Sequence, residues 1–400
     1  MSIFSDTTLL VSMLLAVVLI SGCSSIGSNE NKISFPSETS LLLQKQLDTA
    51  SVDQSAIYPG SILRIQTLAG IWEGTTGVAN VVNRDAVVPA AKFRAGSILK
   101  PFIATVVLQL MEEKKLSLDD RLTDFLPHST TRKFNDSASI TLKMLLNHTS
   151  GIGDWTGSNS EEEKELYEAI FRDNQQIRPW PVEELLEMAA SQGQYFDAGS
   201  QWQYNNTGYN LLGLVIEKVT GQSWRDNIRQ RVLAPLDLKN TFLPESGHLT
   251  MSQPFISGYS DFSGEFTDTT EVDPSLAGAA GGHALVTNTE DLSIFIRALL
   301  DGVLFRNQET LSKMLSFVDM GEAGSAYGLG IQTFPLPNGG YAIGHGGMTA
   351  GYRSVVFHLP KEDITVASVL SAHQGAGFDF LLPTLKIVKE HLKTVSKKYD

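Results

Sequence analysis

The chain reads as an α+β protein, with an antiparallel sheet built from both chain ends, flanked by helices, and a helical lobe inserted in the middle. Three observations predict this. Two early runs, residues 61–66 and 76–82, alternate or are β-branched, as paired strands are. Helical spacing then dominates from about residue 100 to 236. Late in the chain, runs at 341–347, 351–359 and 363–371 are joined by short turns and form a predicted antiparallel meander. On this division the sheet lobe takes residues 41–92 and 285–400, and the helical lobe takes 93–284.

The elements follow in order. Residues 1–22 have the make-up of a secretory signal, because the apolar run 9–20 is shorter than the roughly 20 residues a bilayer span needs. It ends at Ile20-Ser21-Gly22-Cys23. Residues 23–40 are polar and punctuated by Gly, Ser and Pro, the composition of a tether. A short helix is expected at 41–47, then the two strands. In the helical middle, Ser160 with Glu163 forms a capping-box pattern, Pro181 opens a helix, and a run at 209–220 stops at Gly221. Thr287 with Glu290 is a second capping-box pattern, whose helix ends at Gly302. A last helix, 378–397, closes the chain. Residues 153–180, including Trp155, are in position to form a lid.

Composition narrows the function. With 42% hydrophobic and 19% charged residues, the chain is of ordinary globular make-up. A net charge of −13 argues against nucleic acid as a partner, since a phosphate-binding surface needs clustered cations. Lys386, Lys389, Lys393, Lys397 and Lys398 are read as the solvated face of the last helix. Cys23 is the only cysteine, which excludes an internal disulfide and a cysteine metal cluster. Its setting resembles a bacterial lipoprotein signal, although Asp6 and the lack of Lys or Arg before the apolar run depart from that pattern. The resemblance implies lipidation of Cys23 and a membrane anchor in the cell envelope, with Ser24 suited to the outer membrane facing the periplasm. A cleaved signal with an incidental thiol is the alternative.

Three motifs carry chemistry. Ser97-Ile98-Leu99-Lys100 places a hydroxyl and an amine three residues apart, on one face of a helix. A serine hydroxyl is a weak nucleophile that a neighbouring base activates. Lys100 is the only lysine with a serine three positions before it. Pro101 removes a donor from the first turn and is expected to bend it. Tyr204-Asn205-Asn206 is the only Tyr-x-Asn in the chain. A phenol beside an ammonium loses its proton more easily. Asn206 can hold the lysine or a substrate amide, or simply cap the following helix. Gly344-His345-Gly346-Gly347 lies on a predicted strand, where glycines mark close approach of a ligand laid alongside. His373 is the rival histidine, at the end of the third strand of the meander.

Together and in this order, the motifs resemble the serine β-lactamase and D-alanyl-D-alanine carboxypeptidase superfamily. The likeness is to its class C-like branch of carboxypeptidases, D-aminopeptidases and esterases. The segment 140–152, the lead 93–97, Ala280-Gly281-Gly282 and Tyr327-Gly328-Leu329-Gly330 are similar to further landmarks of the family. The resemblance implies a β-lactamase/transpeptidase-like fold and an acyl-enzyme on Ser97, with proton transfer shared by Lys100 and Tyr204. It implies that Asn206 positions the lysine and the substrate amide, and that His345 faces the substrate's leaving side. Gly347 and Met348 line the substrate strand, and the N–H groups of Ser97 and Met348 form an oxyanion hole. His148 is expected to be structural. No metal or organic cofactor is implied.

The third motif departs from the lysine-threonine-glycine of β-lactamases. His345 and Gly346 stand there, so one hydroxyl is missing and the charge is expected to vary with pH. Recognition of a free carboxylate would then fall to Arg353 or another cation. The expected substrate is a D-alanyl-type cell-wall peptide; an ester or a β-lactam turned over weakly is the alternative. An idle envelope lipoprotein that binds peptides in the same cleft is the alternative of another class.

Overall fold

The computed structural model describes residues 34–52, 59–157, 168–261, 266–322, 324–337, 339–373, 378 and 380–396. Cys23, the apolar run before it and the capping box at Ser160 lie outside the described residues.

An eight-stranded antiparallel sheet forms the centre. Its strands are β1 (Gly60–Thr67), β2 (Gly70–Gly77), β3 (Val318–Asp319), β4 (Ala326–Tyr327), β5 (Gln332–Pro335), β6 (Tyr341–Thr349), β7 (Tyr352–Leu359) and β8 (Ile364–Leu370). Their spatial order is β2-β1-β8-β7-β6-β5-β4-β3. The sheet is therefore closed from both chain ends, since β1 pairs with β8 through Ser61↔Leu370 to Gln66↔Thr365. The expected strands at 61–66 and in the meander are present. The expected strand at 76–82 is displaced: β2 covers 70–77, because the Thr67-Leu68-Ala69-Gly70 turn returns the chain at once and pairs Thr67 with Gly70. β3, β4 and β5 were not read from the sequence; they are short and interrupted by glycines.

Both faces of the sheet are covered. Leu63, Ile65, Val355, Phe357, Val366 and Leu370 pack against helix α1 (Ser37–Val52) and a C-terminal helix, Leu381–Ser396. Ile62, Ile343, Val356, Ala367 and Val369, of the opposite parity, join the large core of the helical lobe. That is why β8 is buried at every position and shows no polar alternation.

Helix α2 (Leu99–Glu112) runs through the centre of the helical lobe and is buried on all sides save its end. Phe102 stacks on Phe295, with ring centroids 3.6 Å apart. Helix α3 (Leu142–Leu146) is capped by Thr141, and α4 (Val182–Ser191) opens after Pro181. Helix α5 (Thr207–Thr220) ends at Gly221, left-handed at φ 69°, as the sequence predicts. Helix α6 (Thr289–Leu300) is capped by Asn288, which accepts from Asp291 N, and not by Thr287. Thr287 is instead paired with Phe93 in a two-residue ladder. Trp155, Ile170, Phe171 and Trp180 are buried in the lobe's core, so among the described residues of 153–180 these aromatic and apolar side chains anchor the segment.

Candidate active site

The site begins where the Phe93–Arg94 ladder with Val286–Thr287 turns into helix α2. Arg94 is fully buried, and its guanidinium donates to the carbonyls of Thr270, His283 and Leu249. These bonds lock the approach to the turn. Gly96 then takes φ +58°, a left-handed conformation that favours glycine. Residues Gly96–Ile98 form a 3₁₀ turn before the α-helix starts at Leu99, so the first turn is tightened ahead of Pro101. This presents Ser97, half-buried, at the mouth of α2 and puts Lys100 beneath it.

Three groups surround the Lys100 amine. Nζ lies 2.6 Å from Ala280 O, 2.8 Å from Asn206 Oδ1 and 3.1 Å from Ser97 Oγ. Two of these are obligate acceptors. They take two N–H groups and leave the third tetrahedral position of nitrogen facing the serine oxygen. As a neutral amine, nitrogen holds its lone pair there, ready to accept the Ser97 proton. Burial favours that state, pulling Lys100 down from 10.5 to about 7, while the charge of Asp154 opposes the shift.

Tyr204 lies over the same amine, which is 4.8 Å from its ring centroid. Desolvation pushes the phenol well above its ordinary value, and the side-chain hydrogen bond with Ser97 only partly offsets this. The expectation that an ammonium would acidify Tyr204 therefore meets the opposite environment: the phenol stays protonated beside a lysine that readily becomes neutral. A proton-carrying phenol at Ser97 can pass a proton on to a leaving group.

Asn206 stands at the N-cap position of α5, yet its side chain makes no cap bond. The amide bridges instead, accepting from Lys100 and donating through Nδ2 to Asp154 Oδ2 at 3.0 Å. The loop that follows α3 delivers Asp154. It zips onto the 194–206 segment through Tyr195 N to Gly151 O, Gly199 N to Thr149 O and Gln203 N to His148 O. His148, left-handed at φ 64°, accepts from Asn205 N through Nδ1 at 3.1 Å and packs 4.4 Å from the Tyr204 ring. Its fixed place under Tyr204-Asn205-Asn206 agrees with a structural role.

Strand β6 forms the other wall. Its ladder with β5 ends at Gly344↔Gln332, which leaves residues 345–349 paired only with β7. Gly347 touches the nucleophile turn: a Cβ there would lie 2.0 Å from Ala95 O. That carbonyl is held by Ser354 Oγ at 2.9 Å. A Cβ on Gly96 would in turn lie 2.8 Å from Met348 N, so this N–H sits against the Ser97 turn. The Met348 side chain is exposed.

His345 differs from its sequence reading. The ring is buried, with Nε2 accepting from Tyr327 Oη at 2.8 Å and Nδ1 donating to the carbonyl of Gly346. Desolvation, with help from Lys100, lowers it to about 3. It is neutral throughout the physiological range and both nitrogens are used within the protein, so the expected pH-variable charge facing substrate is absent. Its rival His373 donates through Nδ1 to Thr349 O, 3.0 Å away, at the far end of β6. Arg353 lies opposite Met348 on β7, half-buried.

Sequence reasoning missed Asp154, Ala280 and Tyr327 as parts of the site. Asp154 is a lone acid within an apolar and Gly-rich run, Gly151-Ile152-Gly153-Asp154-Trp155, and that isolation was its only signal. Ala280 acts through its carbonyl, which no side-chain pattern reveals.

A buried amine at a serine, on a helix packed against an antiparallel sheet, is an arrangement of serine hydrolases, and this protein is one. The chain belongs to the Beta-lactamase family, whose model matches residues 54–387. It is similar to Penicillin-binding protein 4 of Amycolatopsis lactamdurans, 32% identical over 47% of this chain and 45% of the relative. The alignments span about half the length of the first curated relatives. Among solved structures, a D-stereospecific amidohydrolase from a Streptomyces species is 30% identical with a TM-score of 0.76, covering 86% of this chain and 97% of that one. D-amino acid amidase from Ochrobactrum anthropi SV3, at 23% identity and a TM-score of 0.73, shares the fold over 91% of this chain and all of its own.

Proposed function

We propose that the protein hydrolyses D-alanyl-type peptides of the cell wall through an acyl-enzyme on Ser97. The observation that carries this is the Lys100 amine, oriented by Ala280 O and Asn206 Oδ1 toward Ser97 Oγ. In acylation, neutral Lys100 takes the Ser97 proton as Oγ attacks the carbonyl carbon. The oxyanion faces the N–H groups of Ser97 and Met348, and Tyr204 hands a proton to the departing amine. The Lys100 ammonium then returns its proton to Tyr204. Water attacks the acyl carbon and gives a proton to Lys100 while Tyr204 reprotonates the departing Ser97 Oγ, releasing the acid. A last transfer from Lys100 to Tyr204 restores both groups. The likeness to a D-stereospecific amidohydrolase over nearly that protein's full length supports an amide bond next to a D-residue.

Esterase activity is the second reading. The neutral, internally bonded His345 and the missing hydroxyl at Gly346 favour it, since neither can grip a substrate carboxylate as a cation would. Cys23 as a lipidated anchor in the envelope supports a cell-wall substrate; the mass of the mature N-terminus reads that assignment, and an unmodified Cys23 removes it.

The test is covalent labelling by a fluorophosphonate and a penicillin probe, with the adduct mapped by peptide mass spectrometry. The expected adduct is on Ser97 and is lost in Ser97→Ala. A panel of D-Ala-D-Ala peptides, p-nitrophenyl esters and nitrocefin then ranks the substrates. A wild-type protein left unlabelled by both probes would favour the idle peptide-binding lipoprotein.

A further inference from the structure

We propose that Asp154 is the positioning residue of this site: its carboxylate fixes the Asn206 amide with oxygen toward Lys100 and holds a negative charge behind the amine. The proposal rests on the reading of Ser97 and Lys100 given above, and it adds a member that touches neither substrate nor nucleophile.

Burial raises the Asp154 carboxyl, and its hydrogen-bond donors and the Lys100 charge oppose that rise. Asp154 is fully buried. Oδ2 lies 3.0 Å from Asn206 N and 3.0 Å from Asn206 Nδ2. Oδ1 is 3.4 Å from Thr156 N and 3.4 Å from Thr207 Oγ1. Thr207 Oγ1 already accepts from Trp155 N at 3.1 Å, which turns its own hydrogen toward the carboxyl group. Each of these four neighbours is a donor, the surroundings an acceptor-only carboxylate requires.

Those contacts dictate which way Asn206 faces. Its Nδ2 donates to Asp154 Oδ2 and to Thr156 Oγ1 at 3.2 Å, which leaves Oδ1 for Lys100. A flipped amide would set two donors against the ammonium and an oxygen against the carboxylate. Asn206 forgoes its helix cap to make this bridge. The result is one polar line, Asp154–Asn206–Lys100–Ser97, through a packed lobe.

Charge is the second part. Besides Ser97 Oγ and Asn206 Oδ1, the groups facing Lys100 among the described residues are Tyr204 and Tyr209 from α5 and its lead, His148 from the loop after α3, His345 from β6, the Ala280 carbonyl and Asp154. The two imidazoles are lowered and both phenols are raised, so these four are neutral near pH 7. Asp154 is the group whose charge raises Lys100 against desolvation. It also raises Tyr204. Removing that charge moves either proton acceptor in the same direction, so the sign does not depend on which of them acts as base.

Asp154→Asn can keep an oxygen toward Asn206 while losing the charge; Asp154→Leu loses both. In Asp154→Asn the acid limb of the fluorophosphonate labelling rate should move to lower pH by about one pH unit or more. Asp154→Leu should in addition lower the plateau by about 10²-fold, as a misplaced reacting group does. A residue that only supports the fold would change the plateau or the melting temperature and leave the limb in place; an unshifted limb in folded Asp154→Asn overturns the proposal. The Lys100 midpoint, followed by ¹³Cε NMR in a Ser97→Ala background and assigned with Lys100→Arg, gives the same reading without turnover. Failure of labelling therefore sinks the hydrolase reading, and an unmoved midpoint sinks this one. If Asp154→Asn does not fold, the Asp154 ¹³C carboxyl signal of the wild-type protein decides. It should be that of an ionised group at pH 7 and respond as Lys100 titrates; a protonated carboxyl at pH 7 overturns the proposal.

Discussion

Lys100 shows how far an amine's affinity for its proton falls when it loses water. A free lysine is protonated at neutral pH, but this amine is buried and comes down to about 7. On the proposed mechanism the working form is the neutral amine, so kcat/KM should rise with pH through about 7 and level off above it. Below that, the proton occupies the position that faces Ser97 Oγ. Lys100→Arg keeps a cation that cannot be deprotonated and should lower kcat/KM by about 10²–10⁴-fold with the limb abolished. A pH–rate profile with no inflection between 6 and 8 would remove Lys100 from this role. The Ser-x-x-Lys pair was legible in the sequence because helix geometry is local and spacing alone puts i and i+3 together. The state of His345 was not. Its neutrality follows from Tyr327 and a buried strand, neither of which the Gly-His-Gly-Gly pattern shows.

At the scale of elements, the site exists because three backbones approach without side chains between them. Gly347 meets Ala95 O, Gly96 meets Met348 N, and a Cβ on Gly281 would lie 2.5 Å from Gly96 O. Gly347→Ala should therefore push β6 off the nucleophile turn. The expected outcome is a loss of about 1–3 kcal/mol in stability from overpacking and about 10²-fold in kcat from a displaced oxyanion donor. Urea titration and steady-state kinetics on one preparation check both; wild-type kcat would show that β6 does not line the reacting centre. Caps and strand limits were legible only in part. Thr287 and Glu290 satisfy the spacing of a capping box, but Thr287 Oγ1 is within 2.7 Å of Thr241 Oγ1 in the core, and Asn288 caps instead. The β-branched run after Gly74 suggested a strand at 76–82, whereas the tight turn after β1 fixes the register at 70–77. Cross-strand pairing outweighed local preference in that hairpin.

The whole molecule buries imidazoles in both layers of the site. His148, His283 and His345 are all lowered, desolvation being the largest cause for each. In the native state they stay neutral, while in the unfolded chain they protonate near pH 6.5. Stability is thus complete above that value and is lost as pH falls from there toward the folded values, about 3 for His345. Each contributes a slope of about 1.4 kcal/mol per pH unit in that window. His283 meets Thr349 Oγ1 away from the Lys100 amine, so it is the one to remove. His283→Gln should reduce the slope of unfolding free energy between pH 6 and 5 by about that amount, read from urea midpoints. An unchanged slope would mean that His283 is protonated in the folded state.

What the sequence by itself determined is whatever the chain encodes at short range: the serine and lysine on one helical face, the Tyr-x-Asn at a helix start and the alternation of the meander. It also determined that the sheet draws on both chain ends, because β-rich runs lie on either side of a helical middle. The tertiary structure alone decided the electrostatics. Burial lowers Lys100 and Asp154 opposes that shift, while Ala280 and Asn206 hold the amine toward Ser97; these residues lie 54 to 180 positions away along the chain. Protonation depends on desolvation and on charges nearby in space, and neither quantity is a property of sequence separation.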